Sequence, residues 1–220
     1  MSERGPSRGN DLSRQQPGHS PWVVKLGGSL ADSPFLRPWL NAIAEGGGRL
    51  IVVPGGGPFA DAVRSAQSTQ GFDDATAHRM ALLGMEQYAA MLSGLERALH
   101  SVDTLDAILD ALGRELVPLW LPARTVLARA DIEASWDVTS DSLAAWLAGE
   151  VGAAALILVK AMSIDAACTA AALAGAGIVD RAFPSYLARC GCACSIVGAA
   201  EHAHFRRALR DGPPAGMPVL

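Results

Sequence analysis

Trp22-Val23-Val24-Lys25-Leu26-Gly27-Gly28-Ser29-Leu30 is an apolar run that breaks into two glycines, the pattern of a short buried strand feeding a tight turn. Glycines at that turn let an anion approach backbone N–H groups with no Cβ in the way. Lys25 falls at the carboxyl end of the strand, where open α/β sheets place their ligands. The chain has only two lysines, Lys25 and Lys160, among eighteen Lys and Arg residues. A lysine kept where nearly every other cation is arginine suggests a need for a compact point charge. The plain alternative is a buried strand followed by an ordinary glycine turn.

The next unit repeats the pattern. Residues 33–45 have helical spacing, with Phe35, Leu36, Trp39, Leu40 and Ile43 on one side, and Gly46-Gly47-Gly48 stops them. Arg49-Leu50-Ile51-Val52-Val53 reads as a second buried strand and runs into Pro54-Gly55-Gly56-Gly57-Pro58, with a helical pattern from Phe59. Two parallel strands would bring both glycine turns to one sheet edge, able to hold a phosphate from both sides. Residues 74–99 and 103–112 read as helices, Val117–Leu121 and Ala154–Val159 as strands, and 165–174 as a helix. After Asp180-Arg181-Ala182-Phe183-Pro184 come a further helix, a strand over 193–197 and a helix over 201–210. This alternation predicts an α/β protein: a three-layer sandwich with a mainly parallel open sheet and helices on both faces.

Composition narrows the function. With 220 residues, half of them hydrophobic, the chain can bury a sizeable core. A net charge of −4 with no basic cluster argues against nucleic acid as a partner. No run is long and apolar enough for a membrane span, and the first residues lack the apolar core of a signal peptide, so a cytoplasmic protein is expected. Residues 1–20 read as a disordered leader, 21–210 as the domain and 211–220 as a loose tail. Cys190, Cys192 and Cys194 would share one face if they lay on a strand. A soft-metal or redox site and plain buried thiols both remain open there, and no metal site is assigned.

A third segment, Ser135-Trp136-Asp137-Val138-Thr139-Ser140-Asp141-Ser142, precedes a helical pattern. Thr139 or Ser140 is a candidate N-cap, aiming a helix N-terminus at an anion. Asp141 either serves the first helical turn or orients Lys25 or a metal near phosphate. Arg64 and His78, on flanking helices, are either solvated or face the same anion. Lys160 either ends its strand in solvent or reaches a phosphate.

Taken together these blocks resemble the amino acid kinase family over residues 22 to 210. Val24-Lys25-Leu26-Gly27-Gly28-Ser29 is similar to its first phosphate loop, Val53-Pro54-Gly55-Gly56-Gly57 to its second, and Thr139-Ser140-Asp141 to its central Asp motif. Lys160-Ala161-Met162-Ser163-Ile164-Asp165-Ala166 resembles its nucleotide loop more distantly, with Ala166 in place of glycine, and Arg189 falls near the position of a later family lysine. Ser135-Trp136, Phe59-Ala60, Val63-Arg64 and His78 bring the chain nearer to the branch that phosphorylates an aminomethylfuran phosphate in methanofuran-type cofactor synthesis.

The resemblance implies an ATP-dependent, Mg²⁺-assisted phosphotransferase. The acceptor, a small anionic metabolite, would lie over the N-terminal half and ATP over the C-terminal half. It implies Lys25 and Asp141 as catalytic residues and Gly27, Gly28, Ser29, Gly55, Gly56 and Gly57 as the phosphate loops. Arg64, His78, Trp136, Thr139 and Ser140 would bind the acceptor, and Lys160 and Asp165 the nucleotide. It also implies a homo-oligomer. The alternative is a homologue that binds the metabolite, or stabilises a partner protein, without turnover.

Overall fold

The computed structural model describes residues 20–162, 167–212 and 216–220. The chain begins with β1 (Trp22–Leu26), α1 (Leu36–Ala44), β2 (Leu50–Pro54) and α2 (Gly57–Gln70). It continues through α3 (Asp74–Leu95), β3 (Leu99–Val102), α4 (Leu105–Gly113), β4 (Val117–Trp120) and α5 (Pro122–Leu127). The second half holds α6 (Ser140–Glu150), β5 (Ala155–Lys160), α7 (Ala170–Gly175), α8 (Phe183–Cys190), β6 (Ala193–Gly198), α9 (His202–Asp211) and β7 (Met217–Pro218).

The strands form one sheet in the order β3-β4-β2-β1-β5-β6-β7, parallel throughout except for β7 against β6. Strand alternation divides the interior into two cores. Val23, Ile51, Val53, Leu156 and Leu158 face one core, completed by α6, α8 and parts of α3 and α5. Val24, Leu26, Val52, Ile157 and Val159 face the other, closed by α1, α9 and the later part of α3. Because both faces are covered, the central strands are unbroken apolar runs rather than alternating ones. That is why they could be read in the sequence as strands, and the α/β sandwich expected from it is the fold observed.

Three expectations change. The helix expected over 74–99 stops at Leu95, where Glu96 turns to extended backbone (φ −137°, ψ 111°), and Leu99–Val102 forms β3. β3 pairs with β4 alone at the sheet edge and exposes His100 and Ser101, so it lacks the apolar signature of the inner strands. The cysteines do not share a strand face: Cys190 ends α8, Gly191 caps it in the left-handed region, and of the three only Cys194 lies in β6. The tail expected to be loose is tied down over 216–220. Met217 and Pro218 pair with β6, Val219 N–H donates to Cys194 O (3.0 Å) and Leu220 N–H to Cys168 O (3.0 Å). The leader lies almost wholly outside the described residues.

Candidate active site

Register brings the two lysines together. Lys25 in β1 stands opposite Leu158 of the adjacent parallel strand β5, and Lys160 closes β5 two residues later. Period-two alternation puts Lys25 and Lys160 on the same face. α6 packs on that face, against β1 and β5, with Asp141 in its first turn. The Lys25 ammonium lies 2.8 Å from Asp141 Oδ1, and the Lys160 ammonium donates to Oδ1 at 2.9 Å and to Oδ2 at 2.7 Å. All three side chains are buried or nearly so, which rules out the solvated alternative for Lys160.

The cluster carries two positive charges and one negative. Burial by itself would raise the Asp141 carboxyl, but Lys25 and Lys160 outweigh it and hold the group below the usual carboxylate range. Burial, aided by the like charge of Lys25, lowers Lys160 from 10.5 to about 8, although Asp141 pulls the other way. Within the triad one positive charge is in excess, in a poorly solvated place at the sheet's carboxyl edge, and Asp180 at the start of α6 offsets it only from further away. Such a cluster is suited to an anion.

The start of α6 is capped from outside. Thr139 occupies the N-cap position but its hydroxyl accepts no helix N–H; it donates to Asp180 Oδ2 at 2.8 Å. The same oxygen accepts from the backbone N–H of Thr139 and of Ser142, each at 3.0 Å, while the Ser142 hydroxyl donates to Oδ1. Asp180 thus does what an N-cap residue does, from a loop 38 to 41 residues away. It also presents a negative charge to the positive end of α6. Sequence reading assigned it no role, because a remote cap has no local spacing to betray it.

Thr139 and Ser140, which precede Asp141, line a cavity of about 300 Å³ whose walls do not include Lys25, Asp141 or Lys160 themselves. Gly28 and Ser29 from the first loop, Gly56 and Gly57 from the second, and Arg64, His78, Trp136, Thr139 and Ser140 all line it. Leu82, Met85, Val138 and Leu143 supply an apolar wall. The two loops touch: a Cβ on Gly28 would lie 2.3 Å from Gly57 N, and one on Gly55 would lie 2.4 Å from Gly28 N. Gly27 and Gly55, expected in the phosphate loops, do not line the cavity. Their N–H groups bond Val159 O (3.0 Å) and Leu26 O (2.8 Å), which fastens the loops to the sheet.

The far wall is anchored by Gln67. Trp136 Nε1–H donates to Gln67 Oε1 at 2.6 Å, and Gln67 Nε2 donates to Asp74 Oδ1 at 2.8 Å. The Arg64 guanidinium stacks over the Trp136 ring, 4.0 Å from its centroid. His78 is different in kind. Burial lowers its pKa against the opposing hydrogen bond at Ser135, so the imidazole is neutral near pH 7 and the standing cation of this wall is Arg64.

Two sequence assignments fall elsewhere. Asp165 lies outside the described residues. Arg189, expected near the position of a further lysine, stacks on Tyr186 in the last turn of α8 and lines a separate cavity with Gly149 and Glu150 at the C-terminal end of α6. Among the described residues no group of three His, Cys, Asp or Glu side chains is placed to hold a metal ion, and both Asp141 oxygens are engaged by lysine. No helix among them is long and apolar enough to cross a membrane.

The chain is similar to (5-(aminomethyl)furan-3-yl)methyl phosphate kinase of Methanocaldococcus jannaschii, at 28% identity over 127 residues. That match spans 57% of this chain and 58% of the archaeal protein, short of two thirds of its length. The fold is similar to uridylate kinase from Archaeoglobus fulgidus, with a TM-score of 0.69 at 14% identity, covering 91% of this chain and 100% of the other. It is similar also to isopentenyl phosphate kinase, with a TM-score of 0.61 at 16% identity over 90% of this chain and 99% of the other. The sequence profile of the amino acid kinase family matches residues 20–163, which take in both glycine loops, the Asp141 helix and both lysines. The chain belongs to the amino acid kinase family.

Proposed function

We propose that this chain is an ATP-dependent phosphotransferase that converts an aminomethylfuran phosphate to its diphosphate. The observation that carries the reading is the buried Lys25–Asp141–Lys160 cluster, linked through Ser140, the neighbour of Asp141, to a cavity of about 300 Å³. The cavity suits a small, compact acceptor with an anionic end, since its apolar wall accepts a ring and Arg64 offers a fork for phosphate. The acceptor named for the archaeal relative has that make-up.

In this reading the acceptor's phosphate is held by Arg64 and by the N–H groups of the loops at Gly28 and Gly57. One of its oxygens, already ionised near pH 7, attacks the γ-phosphorus of ATP in line; the bond to the ADP oxygen breaks and ADP leaves. No base has to remove a proton, so catalysis is positioning and charge stabilisation. Lys25 and Lys160 neutralise the transferring phosphoryl group, and Asp141 keeps the two ammonium groups at one point despite their repulsion. Mg²⁺ bound to the nucleotide's phosphates would supply further neutralisation.

The test is phosphorus NMR with Mg·ATP and three acceptors: the aminomethylfuran phosphate, UMP and isopentenyl phosphate. The expected result is ADP and new diphosphate resonances with the furan acceptor, and little with the other two. Lys25→Ala should retain its fold by circular dichroism while turnover falls by orders of magnitude, since one lost charge contact in such a site costs about 3–4 kcal/mol. Acceptor binding by calorimetry without any ADP formation would overturn the kinase reading in favour of a metabolite-binding protein.

A further inference from the structure

Cys190-Gly191-Cys192 joins α8 to β6, at the end of α6 remote from Asp141. Cys190 is the last residue of α8, and Gly191 follows in the left-handed region (φ 71°), which reverses the chain. A side chain would strain that backbone. The reversal brings the two sulfurs to 2.7 Å, well inside van der Waals contact. β6 opens at the next residue, Ala193, so the pair sits in a joint between two elements rather than in a strand ladder.

The surroundings favour chemistry over packing. Both thiols are partly exposed, and Cys190 lines a cavity of about 300 Å³ with Trp146, Tyr186 and Arg189. The two sulfurs are not equivalent. Cys190 lines that cavity and Cys192 does not, so Cys190 is the sulfur a small oxidant meets first. With the second thiol within hydrogen-bond reach, a thiolate on Cys190 has a donor beside it. Cys194 differs from both: it is buried in β6, and burial raises its thiol.

We propose that Cys190 and Cys192 are a redox-active dithiol that a small peroxide closes to a Cys-Gly-Cys disulfide. The Cys190 thiolate attacks one oxygen of hydrogen peroxide; an S–O bond forms, the O–O bond breaks, and hydroxide leaves to become water with the Cys190 proton. The Cys192 sulfur then attacks the sulfenic sulfur; an S–S bond forms, the S–O bond breaks, and the departing hydroxide takes the Cys192 proton as a second water. Two thiols and one peroxide become one disulfide and two waters, and a dithiol reductant reverses the change. These sulfurs lie apart from the lysine cluster, so the site stands independently of the kinase reading.

The experiment exposes the fully reduced protein to a modest excess of hydrogen peroxide and follows thiol titration, intact mass and a tryptic map. Two of the four cysteines should disappear from the titration, the mass should fall by two hydrogens, and dithiothreitol should restore both. The link should map within the tryptic peptide Cys190–Arg206 and join Cys190 to Cys192. Cys194→Ser should keep this behaviour. Cys192→Ser should lose it and leave a sulfenic acid on Cys190 that dimedone traps, whereas Cys190→Ser should show neither product. Persistence of all four thiols, a link to Cys168 or Cys194, a link between chains, or paired loss surviving in Cys192→Ser would each overturn the proposal. Where a serine variant does not fold, the wild-type peptide map decides alone.

Discussion

At the N-terminal end of α6 the Asp141 side chain is 6% exposed and holds lysines that are 5% and 12% exposed. At its C-terminal end Glu150, 32% exposed, stands 3.7 Å from Arg129, itself 38% exposed and also bonded to Asp131 at 2.8 Å. Both ends carry ion pairs between the same kinds of groups. In solvent, such pairs are screened and contribute little. Out of solvent, the charges cannot be left alone: removing one partner strands the others. The contrast is one of environment: at the buried end the fixed carboxylate of Asp141 offsets the desolvation that lowers Lys160, whereas at the solvated end water does that work for Arg129 and Glu150.

The sharpest way to break this contrast is Asp141→Asn. It leaves two buried ammonium groups facing a neutral amide, and loss of a buried partner costs about 3–5 kcal/mol. Urea unfolding should show that loss, and turnover should fall with it. A variant as stable as wild type would mean that solvent reaches the cluster and the two ends are alike.

Asp180→Ala should come next. It removes a carboxylate that satisfies two N–H groups and two hydroxyls at the start of α6. A lost cap costs about 0.5–2 kcal/mol. Because α6 also sets Asp141, turnover should fall more than stability alone explains, whereas Asp180→Asn, which keeps acceptor capacity, should recover part of both. Equal effects from Ala and Asn would count against the capping account.

A smaller effect concerns pH. Lys160 titrates near 8 in the fold and near 10.5 when unfolded. Between those values the unfolded chain binds more protons, so this group's contribution to stability rises as pH climbs from about 8 toward 10.5, and below 8 its full cost is present. Wild type should therefore gain about 1.5 kcal/mol relative to Lys160→Met between pH 8 and 9.5. Turnover should fall over the same range as the ammonium is lost. Parallel stability curves for the two proteins would remove the buried-charge assignment. Glu150→Gln, at the solvated end of α6, should have the smallest effect, leaving melting temperature and turnover within error. A clear drop in either would make that end more than a surface pair.

Much of the site is legible locally. Lys25, the glycine loops and Asp141 can be picked out because a lysine at the end of an apolar run and glycines between strand and helix stand out in the sequence, although each also has an ordinary structural reading. Arg64, His78 and Trp136 stand around one cavity with Gly28, Ser29, Gly56 and Gly57, on elements whose apolar spacing is readable. What was not legible has a shared cause. Lys160 reaches Asp141 across 19 residues, Asp180 reaches Ser142 across 38, and Gln67 reaches Trp136 across 69. No spacing along the chain encodes such a contact.

By itself the sequence determined the order of elements and the strands of the inner sheet, since burial on both faces demands continuous apolar runs. It also determined the family and the chemical types offered at the sheet's carboxyl edge. Tertiary structure alone decided that β3 and β7 exist. A short strand at the sheet edge, or a two-residue pairing, is defined by its partner and not by its own composition. Tertiary structure likewise decided that the two lysines share one carboxylate, because charge pairing depends on distance in space and on exclusion of water, and both are properties of the packed chain.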